Sequence, residues 1–511
     1  MSAAGGASGL LTRPALVLVL ALLAAQAAAQ EARPPAPEFA APFLPDDHWS
    51  LGAVRRLYGL GLTPTGFDPG RRTLSRKEAG AVLLRAAELA EADTAVPGAR
   101  LARAYARRFA EEFPATASAL EGRPARTAWF GRAGVLAGVE VRRGAVRAGS
   151  GYDNGGGWTG PEPAADMAGG VLGASAAVAL HPHLAAVVAP VLRGGGLELA
   201  DAHLVAVVGG VGAWAGRRPV GFGPGVGGAL VLDAIVPFDG GGLFLARPLE
   251  LPGPFGSLRV ETFVSRMERN GPVMRPWVWA ARAGLSPHPR LSLGVNRGAV
   301  FAGNGEFSLR DLAYVIVGKH GGAHSETDNQ VVALDAFFRP PLGRVPLLLY
   351  LEWGFEDSAG AWKDVPALVA GIELGAVPGI EALALGLERT AFAGSCCGNP
   401  IWYRHWAFQQ GWTDGGVPLG HPLGGHGSEW LLHSRADLLD ARLRLAGRVF
   451  RRRRGAENLF APDRQGNSRG ASLHGEYRIS GGWDGVARAF YEWGERGWHE
   501  ARVLAGLRAR F

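Results

Sequence analysis

Apolar residues make up 47% of the 511 in this chain, yet after the first 29 they are nowhere gathered into the roughly 20-residue run that a membrane-spanning helix needs. Hydrophobicity this abundant and this dispersed has to be carried by short segments. Strands alternating apolar with polar side chains carry it in that way, and 77 Gly with 15 Trp suit a chain of many turns and interfacial aromatics. An oversized soluble β-fold would share the dispersion.

The compartment is read from the first segment. Arg13 precedes an apolar run from Ala15 to Ala25 and then Ala27, Ala28 and Ala29, the pattern of a secretory signal peptide cut before Gln30. Residues 1–29 are therefore expected to be removed. Pro34, Pro35 and Pro37 make 30–44 a stiff linker that continues no helix. The two cysteines, Cys396 and Cys397, are adjacent, which excludes a conventional disulfide framework. With no His or Cys beside them at ligand spacing, zinc is not expected. The net charge of +7 and pI near 9.8 come from arginine, and high-GC codon usage accounts for most of that bias. For an exported protein the anionic neighbours to expect are lipopolysaccharide, acidic polysaccharide or peptidoglycan rather than nucleic acid.

Residues 45–125 read as a helical domain. Asp46 or Asp47 can cap a helix bearing Trp49, Val54, Leu57 and Leu60 on one face. Ser75 and Glu78 have capping-box spacing at the start of a second helix with Val82, Leu83, Ala86 and Leu89 inward. A third is expected from near Pro97, with Leu101, Tyr105, Phe109 and Phe113 inward, and to stop at Pro114.

Over 126–511 the period falls to two. The clearest case is the C-terminus, where Val503, Ala505, Leu507, Ala509 and Phe511 share one face and Arg502, Arg508 and Arg510 the other. A strand ending on an aromatic resembles the terminal signal of outer-membrane proteins, which makes the barrel assembly machinery and outer-membrane lipids expected partners. Tight turns are expected at His181 to His183, Gly216 to Pro219, Pro252 to Pro254, Pro287 to Pro289, Pro340 to Pro346, Val377 to Gly379, Ala436 to Asp440 and Ser480 to Gly485. Longer connections fall at Gly149 to Met167, Ala302 to Glu326, Phe355 to Asp364, Phe392 to Gly427 and Arg451 to Gly470. The fold expected is a mainly β, antiparallel transmembrane barrel of about 18 strands, its long loops outside the cell and its helical domain periplasmic.

Several stretches resemble the capsule assembly Wzi family. They are Gly151 to Gly160, Gly221 to Gly225, Arg247 to Pro252, Leu351 to Asp357, Leu387 to Thr390 and, above all, Trp402-Tyr-Arg-His-Trp-Ala-Phe-Gln-Gln-Gly-Trp412 continuing to Pro418-Leu-Gly-His421. The resemblance implies an eighteen-stranded outer-membrane barrel, plugged or flanked by a helical bundle, that binds exported capsular polysaccharide and helps hold it at the cell surface. Pro45 to Arg85 also looks like one partial S-layer-homology motif, which implies a peptidoglycan contact, although a helical plug explains the same pattern.

Sugar recognition needs aromatic faces for C–H surfaces and polar groups at the ring edges. Trp402, Tyr403, Trp406 and Trp412, interleaved with Arg404, His405, Asp414, His421 and His426, form the first candidate site. Tyr152, Asp153, Asn154 and Trp158 form the second. Girdle or core packing would explain the same aromatics. Arg451 to Arg454 is the densest cationic run, suited to uronic carboxylates or lipid phosphates. Catalysis is not expected, nor is a cofactor. Glu352, Glu356 and Asp357 are carboxylates near a strand end, but sequence cannot set two across one glycosidic bond. Ser428, His433 and Asp437 lack a nucleophile elbow. Gly221, Gly223 and Gly225 lack the helix of a phosphate cradle, and His181 with His183 reads as a turn rather than a metal site. A porin or polysaccharide export channel is the alternative function.

Overall fold

The computed structural model describes residues 38–123, 129–144, 167–193, 196–304, 307–317, 328–356, 367–392, 402–414, 417–456, 458, 464–480 and 482–510. The signal peptide, most of the linker, the loop bearing Tyr152, Asp153 and Trp158, Cys396 with Cys397, and Phe511 lie outside the described residues.

Eighteen long strands follow one another around the wall. They are β1 (Trp129–Gly144), β2 (Met167–His181), β3 (Leu184–Arg193), β4 (Gly196–Val208), β5 (Val211–Phe222), β6 (Leu232–Leu245), β7 (Ser257–Arg266), β8 (Trp277–His288) and β9 (Leu291–Phe301), then β10 (Asn329–Phe338), β11 (Leu347–Glu356), β12 (Ala367–Leu374), β13 (Leu383–Phe392), β14 (Gly427–Leu438), β15 (Leu443–Arg454), β16 (Gly466–Ser480), β17 (Trp483–Gly494) and β18 (His499–Arg510). Each pairs antiparallel with the next, and β1 pairs with β18 in register from Gly134↔Arg510 to Gly144↔Glu500. The sheet is thus a closed barrel with no free edge, the form that satisfies every backbone group in hydrocarbon.

Alternation then sorts the side chains. On β10, Val331, Ala333, Asp335 and Phe337 are buried inward, while Leu334 and Phe338 are exposed outward. On β18, Val503 and Leu507 are exposed and Arg502 is buried, so the terminal strand faces as its sequence predicts. The outer face also carries Leu204, Leu432, Val449 and Leu473. Trp430, Tyr491 and Trp493 ring its long-loop end, and Tyr477 and Trp483 its short-turn end, as expected of interfacial girdles. No helix among the described residues is long and apolar enough to cross a membrane.

One expected turn is corrected. Gly216 to Pro219 lies within β5, where the pairing with β6 shifts between Pro219 and Gly221 and Gly216 has φ 125°. A bulge calls for glycine and tolerates proline as a turn does, so the two signals coincide. The hairpin between β4 and β5 instead closes at Gly209 and Gly210, both with positive φ. The expected loop from Arg451 to Gly470 is shorter than read, because β15 runs to Arg454 and β16 starts at Gly466.

The helical domain closes the short-turn end. It comprises α1 (Trp49–Leu60), α2 (Arg76–Ala92), α3 (Ala99–Glu112) and α4 (Pro114–Leu120). The capping box forms: the Glu78 N–H donates to Ser75 Oγ at 3.2 Å and the Ser75 N–H to Glu78 Oε2 at 2.9 Å. Two details differ from expectation. The cap of α1 is His48, because Asp47 is drawn to the wall guanidiniums of Arg488 at 2.6 Å and Arg508 at 2.8 Å. Pro114 ends α3 but also opens α4, since its missing N–H falls where a helix has no partner for one. Leu57, Leu83, Tyr105 and Phe109 form an apolar core that continues onto Phe337, Leu348 and Tyr350 of the wall.

Buried charges bind this domain to the wall. Arg282 of β8 donates to both oxygens of Asp68, at 2.8 and 2.6 Å, and to Asp335 of β10 at 2.5 Å. Arg56 of α1 meets Asp437 of β14 at 2.6 Å and the carbonyls of Gly375, Glu381 and Ala382. Arg71 bonds Glu78 and reaches Glu261 of β7 at 2.9 Å. Replacing Arg282 by Ala leaves Asp68 and Asp335 buried without their cation, a loss of about 3–5 kcal/mol. The helical domain should then become protease-sensitive while the barrel keeps its heat-modifiable gel mobility.

Burial alone would raise the Glu78 carboxyl, but Arg71 and Arg259 bring it down to about 2. Its stabilising contribution is therefore complete above the ordinary glutamate value near 4.5 and is lost as the pH falls toward 2. Hydrogen-exchange protection at the start of α2, taken relative to the intrinsic exchange rate at each pH, should fall over that interval, and Glu78→Gln should abolish that fall.

Candidate functional site

The long-loop end is filled by chain folded back into the barrel. The strap of residues 223–231, between β5 and β6, crosses the lumen and is held by inward carboxylates of the wall. Glu388 accepts from the Val226 and Gly227 N–H groups at 2.6 and 2.8 Å and from the Tyr350 hydroxyl at 2.8 Å. Glu352 accepts from the Leu230 N–H at 3.0 Å. An irregular segment in a lumen has unpaired N–H groups, and these strand carboxylates supply acceptors.

The aromatic loop packs onto the strap. The Trp412 indole donates to the Val231 carbonyl at 2.8 Å, the Tyr403 hydroxyl to the Leu230 carbonyl at 2.5 Å, and the Asp233 N–H to the Leu419 carbonyl at 2.9 Å. Tyr403 has φ 61° and its N–H donates to Glu356. Phe392 packs against Trp402 and Tyr403, each with ring centroids 5.4 Å apart, and against His421 at 6.0 Å.

The first candidate site therefore divides. Trp402, Tyr403, Trp412 and His421 are core residues, at most 1% exposed. Burial holds the His421 imidazole neutral, its Nδ1 accepting from the Leu423 N–H at 3.1 Å. Trp406 is the exception at 68% exposed, with the His405 ring 5.7 Å away and Arg404 and His405 half-buried beside it. Burial also lowers the His405 pKa. Asp414 accepts from the Glu268 N–H at 2.9 Å, and burial pushes it up to about 6.

The other sequence candidates are placed as follows. Arg452 and Arg454 point inward to Glu429 and Glu492, whereas Arg451 and Arg453 are exposed outside. Glu352 and Glu356 share the lumen face, each bonded to a loop N–H. Asp437 serves Arg56, Arg435 and Arg444, while Ser428 and His433 are an odd number of residues apart on β14, so no hydrolase set is assembled there. His181 and His183 flank a turn in which the His183 N–H donates to His181 Nδ1 at 3.2 Å. Glu388, His421 and Glu429 have ligand atoms within 4.8 Å of one another, but Glu388 and His421 accept loop N–H groups and Glu429 holds Arg452. The strap itself was not singled out in the sequence as a ligand for the aromatic loop; its pattern of glycines reads equally as a turn.

A closed antiparallel barrel, apolar outside with aromatic girdles and packed with its own chain inside, is an outer-membrane β-barrel. The family model for the capsule assembly protein Wzi matches residues 137–499, and the chain belongs to that family. Its fold is similar to that of Escherichia coli Wzi, an outer membrane protein involved in group 1 capsule assembly and described as a carbohydrate-binding β-barrel. That similarity has a TM-score of 0.72 and 19% identity, covering 92% of this chain and 100% of that one. Pseudomonas aeruginosa OpdL gives a TM-score of 0.45 at 16% identity, covering 75% of this chain and 99% of its own. Comparison with curated protein sequences gives no match.

Trp412 is the central tie between loop and strap. Trp412→Ala should cost about 3–5 kcal/mol of local stability and open the loop to limited proteolysis. Trp412→Phe, which fills much of the space but cannot donate, should cost about 1 kcal/mol and leave the loop resistant.

Proposed function

We propose that this protein binds exported polysaccharide at the outer surface of the outer membrane and helps retain it there, without acting as an enzyme. Its long-loop end faces the exterior in this reading, and its helical domain faces the periplasm, where it closes the barrel. The observation that carries the proposal is Trp406: in a loop whose other tryptophans, Trp402 and Trp412, are locked in the core, one indole stands in solvent. An exposed ring on an anchored loop offers a stacking face that loses little freedom on binding.

The neutral His405 imidazole and the Arg404 guanidinium supply hydrogen-bonding groups at the edge of that face, and Arg404 suits a uronic carboxylate. Trp402, Tyr403, Trp412 and His421 contribute by holding the loop. Tyr152, Asp153 and Trp158, in the connection after β1, are a second contributor in this reading. Membership of the Wzi family and the carbohydrate binding described for the E. coli protein of the same fold support the reading. A packed lumen also supports it over a wide channel.

Trp406→Ala should weaken binding of purified capsular polysaccharide by about 1 kcal/mol, roughly fivefold, per engaged site, measured by calorimetry on the detergent-solubilised chain. Trp402→Phe should bind as the parent does. Equal affinity of parent and Trp406→Ala would refute the assignment.

A further inference from the structure

Between the helical domain and the strap lies a cavity of about 290 Å³, separate from the exposed loop surface. Arg55 of α1 reaches it from the helical side, and His433, Arg435 and Arg448 from the wall. His433 and Arg448 are directly opposite one another across β14 and β15, so their side chains share one level of the lumen. Gly52 brings α1 close to the wall here, since a Cβ at that position would lie 1.9 Å from Arg435 Nη1.

Donors outnumber acceptors in this space. The Arg55 Nη1 group donates to the Pro224 carbonyl at 2.6 Å, but Arg55 Nε and Nη2, Arg435 Nη2 and His433 Nε2 are buried with no hydrogen-bond partner. Among the described residues, five carboxylates line the cavity, Asp46, Asp47, Asp233, Glu373 and Glu476, and of these Asp233 Oδ2 and Glu373 Oε2 are themselves without a hydrogen-bond partner. Glu373 lies 3.6 Å from Arg55 Nε, beyond hydrogen-bond length. Asp233 is engaged by Arg72 at 3.0 Å and by the Ala229 N–H at 3.1 Å. Asp437, behind the wall residues, is shared among Arg56, Arg435 and Arg444.

We propose that this cavity is a binding site for a carboxylate- or phosphate-bearing anion, held by Arg55, His433, Arg435 and Arg448. Such an anion takes the N–H groups that Arg55 and Arg435 leave unmade, and planar guanidiniums match its oxygens in pairs. Because Arg55 belongs to the helical domain and the other three to the wall, the bound anion ties the two together. The site needs no sugar ring, so it is independent of the surface proposed above. The same chemistry is offered by a free phosphate and by a uronic unit of a polymer entering the lumen.

Calorimetry on the full chain in detergent, with inorganic phosphate, methyl glucuronide and alginate as separate probes and methyl glucoside as neutral control, tests this. Binding of phosphate, weakened at least tenfold in both Arg55→Gln and Arg448→Gln and unchanged in Trp406→Ala, supports the site, and methyl glucuronide binding should show the same loss in the two Gln variants. Phosphate alone identifies a small free anion; competition by alginate identifies a polymer unit. Each arginine variant is checked for heat-modifiable mobility, and Arg55→Lys, which keeps the charge, should retain part of the affinity. No heat with either small anion, or equal affinity in the parent and both Gln variants, overturns the proposal.

Discussion

Closure of the sheet is the constraint from which the remaining structure follows. Once β1 pairs with β18, hydrocarbon surrounds a cylinder whose backbone groups are all satisfied laterally, and side chains can differ only by facing out or in. Leu432 and Val449 face out, while Glu388, Glu429 and Arg452 face in. An inward charge at this depth is tolerated only with a partner, and the lumen supplies partners from its own chain. The helical domain and the strap are in this sense the counter-charges and hydrogen-bond donors of the barrel interior.

The ties run in one continuous series. Arg282 joins Asp68 of the helical domain to Asp335 of the wall. The Gly223 N–H donates to the Gly70 carbonyl at 2.8 Å, and Arg72 meets the Gly225 carbonyl at 2.7 Å, which joins that domain to the strap. Trp412 and Tyr403 join the strap to the aromatic loop. Each link is specific and at least partly buried, so the loop at one end of the barrel is held by packing that begins at the other.

Much of this was legible from residue patterns. The period of two on β18, the capping box of Ser75 and Glu78, and the proline-marked turns at Pro182 and Pro378 depend on local rules that tertiary contacts do not override. The cap of α1 departs from the local pattern because Asp47 has a better partner in Arg488 and Arg508, hundreds of residues away. The β5 bulge carries the sequence signal of a turn because glycine and proline mark both. Trp402, Trp406 and Trp412 stand close together in one long loop with nothing local to separate them. Contacts distant in sequence decide which rings are buried: Phe392 packs against Trp402 and Tyr403, and the Leu230 and Val231 carbonyls of the strap accept from Tyr403 and Trp412.

The preponderance of arginine gains a second meaning in this setting. The lumen shows why a guanidinium is useful. A planar, permanently charged fork can satisfy two carboxylates on different elements at once, as Arg282 does with Asp68 and Asp335 and Arg71 with Glu78 and Glu261. A lysine ammonium, a compact point charge, has no such paired geometry. Where one carboxylate must serve several guanidiniums, as Asp437 serves Arg56, Arg435 and Arg444, the same construction leaves donors over. An interior built from arginine bridges is therefore rigid where its carboxylates suffice and receptive to anions where they do not.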